Sequence, residues 1–496
     1  MRGSFRRSMA WLHAWAGLVA GWLLFAVFVT GTASYYRADI SRWMRPELGA
    51  ESEVDPGRAA DMAAAALAAR APDARQWFVR LPHAGEPSIG LQWRGKGGSR
   101  ENVLLDPVTG APVTVRETLG GEFLYRFHYE LHLPPLWGRW IVGSATLIML
   151  VAMVTGIVTH RRIFADFFTF RPAKGGRRAW LDAHNVLGVL ALPYHIMVSY
   201  SGLVLLSLTL MPWGVAAVYR GDTLRFAQEF GLTATTPRPA TGRPAALAPL
   251  APIVADATRR AGTPPEHLVI DKPGDAAATV TVLMEPPHGI AHHHPQIAFD
   301  GATGAFVAAT GELRSAARTY FTVSGLHQAD FAGAALRALY ALCGAMGAAM
   351  IATGLVLWTR ARLPGTGEEP PPAVRLVRGL NLGVIVGLPA GIAVYFLANR
   401  GLPVELADRA AWEVRLFFGA WALTALAPCL LAPASAWRAT LGATGSLYLA
   451  IPVLDAITVG RSDGLFLVFD GTMLGLGLLC WLAMRSIAPS ARAAHP

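Results

Sequence analysis

Six histidines of this 496-residue chain sit in or beside apolar segments: His13, His132, His160, His184, His195 and His327. No histidine falls between His327 and His495. Ionisable groups are costly in hydrocarbon and tend to mark function there. Neutral imidazole enters without net charge and offers a nitrogen lone pair to a metal. The stretch "WLDAHNVLGVLALPYHIMVSYSG", residues 180–202, carries His184 and His195 eleven residues apart. On one helix that spacing is within about 20° of three full turns, so the two rings share a face roughly 16 Å apart. This arrangement suits two flat metal cofactors stacked across a bilayer, each needing another imidazole from a neighbouring helix. Haem b fits the requirement, because it needs no covalent link and an axial histidine pair suits electron transfer. The chain has no CxxCH, which excludes c-type attachment, and no CxxC redox pair. By depth, His13, His160 and His184 are candidates for an inner haem, and His132, His195 and His327 for an outer one. His128 lies four residues before His132 on the same helical face and is a further outer candidate. The pairing within each set stays open, and with 15 tryptophans some interfacial histidines belong equally well to an aromatic belt.

The elements that must position these rings are membrane helices. The chain is 53% hydrophobic and only 15% charged, against about a quarter charged in a soluble protein. Its net charge of +10 reads as membrane topology and not as nucleic-acid binding. The predicted architecture is an all-α polytopic membrane bundle of about eight helices with two small α+β external domains. The order is a first span in 1–36, an external domain in 37–138, a span at 139–160, a loop at 161–180, a span at 181–210, a second external domain in 211–334 and a span at 335–359. A linker at 360–378, four more spans in 379–486 and a tail at 487–496 complete it. The stretch 161–178 holds six Lys/Arg and the linker holds four Arg. Short basic loops stay cytoplasmic, which puts both termini inside. The N-terminal apolar run, about residues 11–34, is longer than the core of a secretory signal and is read as a span. The three cysteines, Cys343, Cys429 and Cys480, fall in apolar runs and read as small buried hydrophobes.

A duplication links the parts. His13 is followed by Gly17 and Gly31, and His184 by Gly188 and Gly202, at the same offsets. "VTGIVTHRR" at 154–162 matches "ATGLVLWTR" at 352–360, and a Leu-His pair precedes each of those spans. Both external segments place a D-x-x-T-G turn between apolar strands, at 106–110 and 300–304. The first four spans are therefore two copies of helix, external domain, helix. The run "HGIAHHHP", from His288, has the composition of a metal-binding tract. No Cys or carboxylate is spaced around it as in a known site, so it reads as an exposed polar loop.

Residues 160–203, "HRRIFADFFTFRPAKGGRRAWLDAHNVLGVLALPYHIMVSYSGL", together with "WLHAWAGLVAGW" at 11–22 and the two D-x-x-T-G domains, resemble the PepSY-associated transmembrane family over about residues 5–362. The resemblance implies PepSY-like periplasmic domains and a bacterial inner-membrane dihaem protein that passes electrons outward. It implies a haem-dependent reductase that releases iron from a ferric siderophore or another iron chelate. It also implies that His13, His160, His184, His132, His195 and His327 bind two haem b. The chain departs from the family by four extra histidine-free spans, 379–486, whose polar hints are Asp455 and Asp470. It shows no GxGxxG after a strand, so a membrane quinol or a separate reductase is the expected electron donor. Arg126, Arg139 and Arg337 on the outer side would attract an anionic chelate or anchor the helices at the interface. The alternatives are a siderophore or solute transporter, and a non-catalytic module whose external domains bind a partner.

Overall fold

The structure, a computed structural model, describes residues 2–49, 53–83, 85–94, 100–160, 176–364 and 368–487. In chain order the elements are α1 (Arg2–Ser34), α2 (Arg37–Trp43), α3 (Pro56–Arg70), β1 (Gln76–Arg80), β2 (Ile89–Arg94), β3 (Arg100–Leu105), β4 (Pro112–Val113), α4 (Gly121–Glu130), α5 (Pro135–Thr159), α6 (Gly176–Leu190), α7 (Leu192–Leu210), α8 (Trp213–Tyr219) and α9 (Thr223–Glu229). They continue with α10 (Leu250–Ala261), β5 (Pro265–Asp271), β6 (Thr279–Met284), β7 (Gln296–Asp300), β8 (Phe306–Ala309), α11 (Ser315–Gln328), α12 (Ala334–Arg360), α13 (Pro372–Ile385), α14 (Gly387–Gly401), α15 (Arg409–Leu430), α16 (Pro433–Thr458) and α17 (Gly464–Ser486). They form two compact units, one of residues 1–46, 116–206 and 333–496, the other of residues 47–115 and 207–332.

The first unit is helical. Among the described residues, eight helical stretches are long and apolar enough to cross a membrane: Ser4–Ser34, Pro135–Thr159, Leu192–Leu210, Ala334–Arg360, Pro372–Gly401, Arg409–Leu430, Pro433–Thr458 and Gly464–Ser486. The protein is a multi-pass membrane protein. α1 is the hub and packs on α5, α12 and α4, while α6 packs on α12. The four later spans join through α13, which touches α12 and α1. Most of the 161–180 loop lies outside the described residues.

One expectation is corrected here. Residues 181–210 are not one continuous helix, because α6 ends at Leu190 and α7 begins at Leu192. Pro193 is the cause. It has no N–H to give to the carbonyl four residues back, and its ring crowds that carbonyl. The chain re-enters the helix at once, with the His195 N–H bonded to the Ala191 carbonyl at 2.9 Å. His184 and His195 therefore stand on two helices, yet both rings face the same neighbour, α12. The fifth span shows the same response, breaking between α13 and α14 ahead of Pro389.

The second unit holds one antiparallel sheet where two separate small domains were expected. Its strand order is β4-β3-β2-β1-β5-β6-β7-β8. Each half of the repeat supplies four strands, and the halves join through β1 and β5 with Trp77 opposite Ile270 and Val79 opposite Leu268. Left apart, each half would present an unpaired edge, which is unfavourable; pairing like with like removes both. One face is covered by α3 and α10 over a core that includes Leu67, Trp77, Val254 and Ile270. The two D-x-x-T-G turns are built alike. Asp106 Oδ1 accepts from the Thr109 N–H and hydroxyl at 2.7 and 2.9 Å, and Asp300 Oδ1 from those of Thr303 at 3.0 and 2.9 Å. Gly110 and Gly304 close the turns at φ +72° and +74°.

Candidate functional site

Four membrane-unit histidines are held by one repeated device. His13 Nδ1 bonds the Ala152 carbonyl at 2.8 Å, and the ring lies over Gly156, four residues on, where an added Cβ would stand 3.1 Å from it. His184 Nδ1 bonds the Met350 carbonyl at 2.8 Å and lies over Gly354, with the corresponding gap 3.0 Å. These are equivalent positions of the "VTGIV" and "ATGLV" repeats on α5 and α12. His128 does the same on α1, with Nδ1 on the Val27 carbonyl at 2.8 Å and the ring over Gly31 at 2.6 Å. His195 completes the set on α12, with Nε2 on the Cys343 carbonyl at 3.2 Å and the ring over Gly347 at 3.0 Å. A side chain at any of these glycines would push the ring off its carbonyl.

The anchoring decides which nitrogen is left for chemistry. A ring that donates Nδ1–H to a carbonyl keeps its lone pair on Nε2. Metal-binding histidines are oriented in this way, by a hydrogen bond from the other nitrogen. The His13 and His184 rings lie 6.2 Å apart, centre to centre, with planes at 68°. Two imidazoles binding one metal ion from opposite sides, at about 2.0–2.1 Å each, put their ring centres about 6.4 Å apart. The pair fits a single iron with two axial histidines.

Both rings border a cavity of about 820 Å³, within the roughly 300–1,000 Å³ range of ligand sites. Gly17 and Gly188, each one turn after its histidine, line the wall, and nothing lies within 4 Å of where a Gly17 Cβ would stand. Leu18, Met149, Ile351 and Leu355 make much of the wall apolar. His160, the C-terminal cap of α5, also lines the cavity, and its Nδ1 is buried with no hydrogen-bond partner. The three inner candidates thus surround one space, and the donor set and apolar walls fit a haem.

The outer candidates divide differently. His195 is fully buried, packs on Phe28 of α1 and has an unpartnered buried Nδ1. His128 bonds the neighbouring residue of α1, Val27. His132 is exposed, lies beyond the left-handed cap at Leu131 and rests on Phe123 and Phe418. His327 is in the last turn of α11, in the sheet unit. The two Leu-His pairs are also out of structural register. His132 lies one residue after the left-handed cap Leu131 of α4, whereas His327 lies two residues before the left-handed cap Ala329 of α11. The pattern of Leu-His in sequence hid this shift. The four ring-supporting glycines were also missed, although the "TG" of both repeats was the signal.

In the sheet unit the histidine run is the exposed loop expected only over residues 288–290; its later histidines turn inward. His293 is buried and its Nε2 donates to the Gly231 carbonyl at 2.9 Å. His294 Nδ1 lies 2.9 Å from Glu266, His267 Nδ1 3.5 Å from the same carboxylate, and His292 Nδ1 3.0 Å from Asp330. Sheet pairing brings Glu266 there from β5, a proximity that spacing in sequence does not show. Burial works against the charged form of Glu266, but the His294 hydrogen bond and the fields of His267, His294 and His83 prevail and hold its pKa at about 2. Burial likewise opposes charge on His294, yet the bond and field of Glu266 raise its pKa. Among the described residues, no three donors are arranged to hold a metal ion.

Fold and site together define a multi-pass membrane protein in which a duplicated unit carries histidines anchored on glycines of neighbouring helices. The chain belongs to the family of the PepSY-associated TM region, which matches residues 10–361. It is 30% identical over 392 residues to an uncharacterized protein of Pseudomonas aeruginosa, a match covering 72% of this chain and 93% of that one. α13 to α17 lie beyond the family match.

Proposed function

We propose that the chain is a b-type dihaem electron-transfer protein of the bacterial inner membrane that reduces a ferric siderophore, or another ferric chelate, on the periplasmic side to release its iron. The observation that carries this reading is the His13–His184 pair, with ring centres 6.2 Å apart, close to the separation that two imidazoles sharing one iron would need. Haem b, when bound, supplies one-electron chemistry at an iron whose axial positions are both filled. The chain supplies the rest. Ala152 and Met350 fix the ring tautomers, Gly17 leaves room for a planar ligand, and the apolar part of the wall would pack against it. His128 and His195, anchored by the same device, are the second ligand pair. The basic segments 161–178 and 360–378 support a topology with both termini in the cytoplasm. A membrane quinol or a separate reductase donates the electrons.

The test is a redox cycle on purified protein. Its reduced b-type absorption bands should bleach when a ferric chelate is added, with a ferrous trap colouring in step. Reduced bands that persist in the presence of ferric chelate would refute the reductase assignment.

A further inference from the structure

The mouth of the inner cavity has a charge pattern that the histidines do not explain. Its lining includes three guanidinium groups, Arg6, Arg178 and Arg362, and, among the described residues, no Asp or Glu. Each is braced at one side and keeps donors to spare. Arg6 gives Nε and Nη2 to the Thr159 carbonyl. Arg178 Nε meets Asp182 at 3.2 Å while its side chain stays half exposed. Arg362 gives Nη1 to the Trp358 carbonyl and lies flat on the Trp358 ring, 3.8 Å from its centre. A guanidinium has five N–H donors in a planar fork suited to carboxylates. Asp182 offsets one of the three charges, which leaves a surplus of two at the rim of an apolar space.

From this we infer that Arg6, Arg178 and Arg362 form a carboxylate-binding rim, so that the cavity selects a porphyrin with two free carboxylates and orients it acid edge outward. The inference rests on the haem reading and adds to it a specificity that histidine ligation lacks, because the imidazoles grip only iron. Charge-assisted bonds of this kind are the strong ones. Neutralising the two carboxylates in this way also favours the ferrous state, since carboxylates left unpaired near the iron would oppose the added electron.

The test uses full-length protein stripped of porphyrin and offered either iron protoporphyrin IX or its dimethyl ester, which has the same iron and ring but no carboxylates. Unaltered protein should bind the diacid at least about tenfold more tightly than the ester. Arg178→Gln/Arg362→Gln should lose that preference and lower the midpoint potential of the inner haem. Arg178→Lys/Arg362→Lys should restore the potential in part. Equal binding of acid and ester, with haem retained and its potential unmoved in the Gln variant, overturns the rim while leaving the haem reading intact. If the Gln variant changes only the anionic phospholipid that copurifies, the rim serves a lipid headgroup and the inference is wrong. Failure of the unaltered protein to bind either porphyrin overturns both.

Discussion

His13, His184, His128 and His195 are each held between a carbonyl and a glycine four residues further along the neighbouring helix. The glycines are therefore as testable as the ligands. Gly156→Val or Gly354→Val should displace His13 or His184 and remove the inner haem while the outer one persists, read as half the haem per chain. Gly31→Val should act on His128 and spare the inner site. The outer assignment has its own discriminator. His128→Ala should lower haem content, and His132→Ala should leave it unchanged, because His132 lies outside the carbonyl-and-glycine device. If His132→Ala removes haem and His128→Ala does not, the outer ligands have been assigned wrongly. His160 aligns with Trp358 and is not repeated, but the equivalence of His13 and His184 was legible in the sequence because the repeat fixes their residue type and offset. The choice between His128 and His132 was not, because a left-handed cap after the helix shifts register without leaving a mark on hydrophobic pattern.

The added spans contribute elements whose polar groups are turned inward. Arg409 and Glu413 form a fully buried pair on α15, and Glu413 also accepts from Thr118 and Asn399. Arg400 of α14 reaches Asp455 of α16. Removing one member of a buried pair strands the other charge and costs about 3–5 kcal/mol, whereas replacing both with apolar residues is often neutral. Glu413→Leu should therefore lower the thermal midpoint of the solubilised protein sharply, and Arg409→Met/Glu413→Leu should recover most of the loss. A double variant no better than the single one would contradict this account. Asp455 was visible in the sequence as a polar group in an apolar run, but its partner was not, since Arg400 lies 55 residues away. The break at Ala191 accompanies Pro193, but Pro428 and Pro452 lie inside unbroken α15 and α16, so proline alone did not foretell it. The fusion of two half-sheets was not foreseeable, because strand pattern shows which face is buried and not which edge finds a partner.

On the scale of the whole chain, the sheet unit adds a pH-dependent contribution to stability that the buried pairs of the membrane unit do not describe. In the sheet unit, Glu266 is held at about 2 against an ordinary value of 4.5, so its contribution is full above 4.5 and is lost as pH falls towards 2. His294 is raised above its ordinary 6.5, so its contribution is full below 6.5 and is lost as pH rises through its folded value. Both conditions hold between pH 4.5 and 6.5. Glu266→Gln should therefore destabilise the protein most in that window and less on either side, measured as the difference in unfolding midpoint across pH. A penalty that keeps growing above pH 8 would exclude this origin. The proposed electron transfer rests on residues of the membrane unit, and its central claim is that His13 and His184 grip one haem. The most direct measurement is haem stoichiometry, by pyridine haemochromogen, in the purified protein and in His13→Ala and His184→Ala. Two haem b per chain, falling to one in each variant with the remaining bands unshifted, is the expected result. A colourless protein that takes up no haem when supplied with it, or variants that keep both haems, would contradict it.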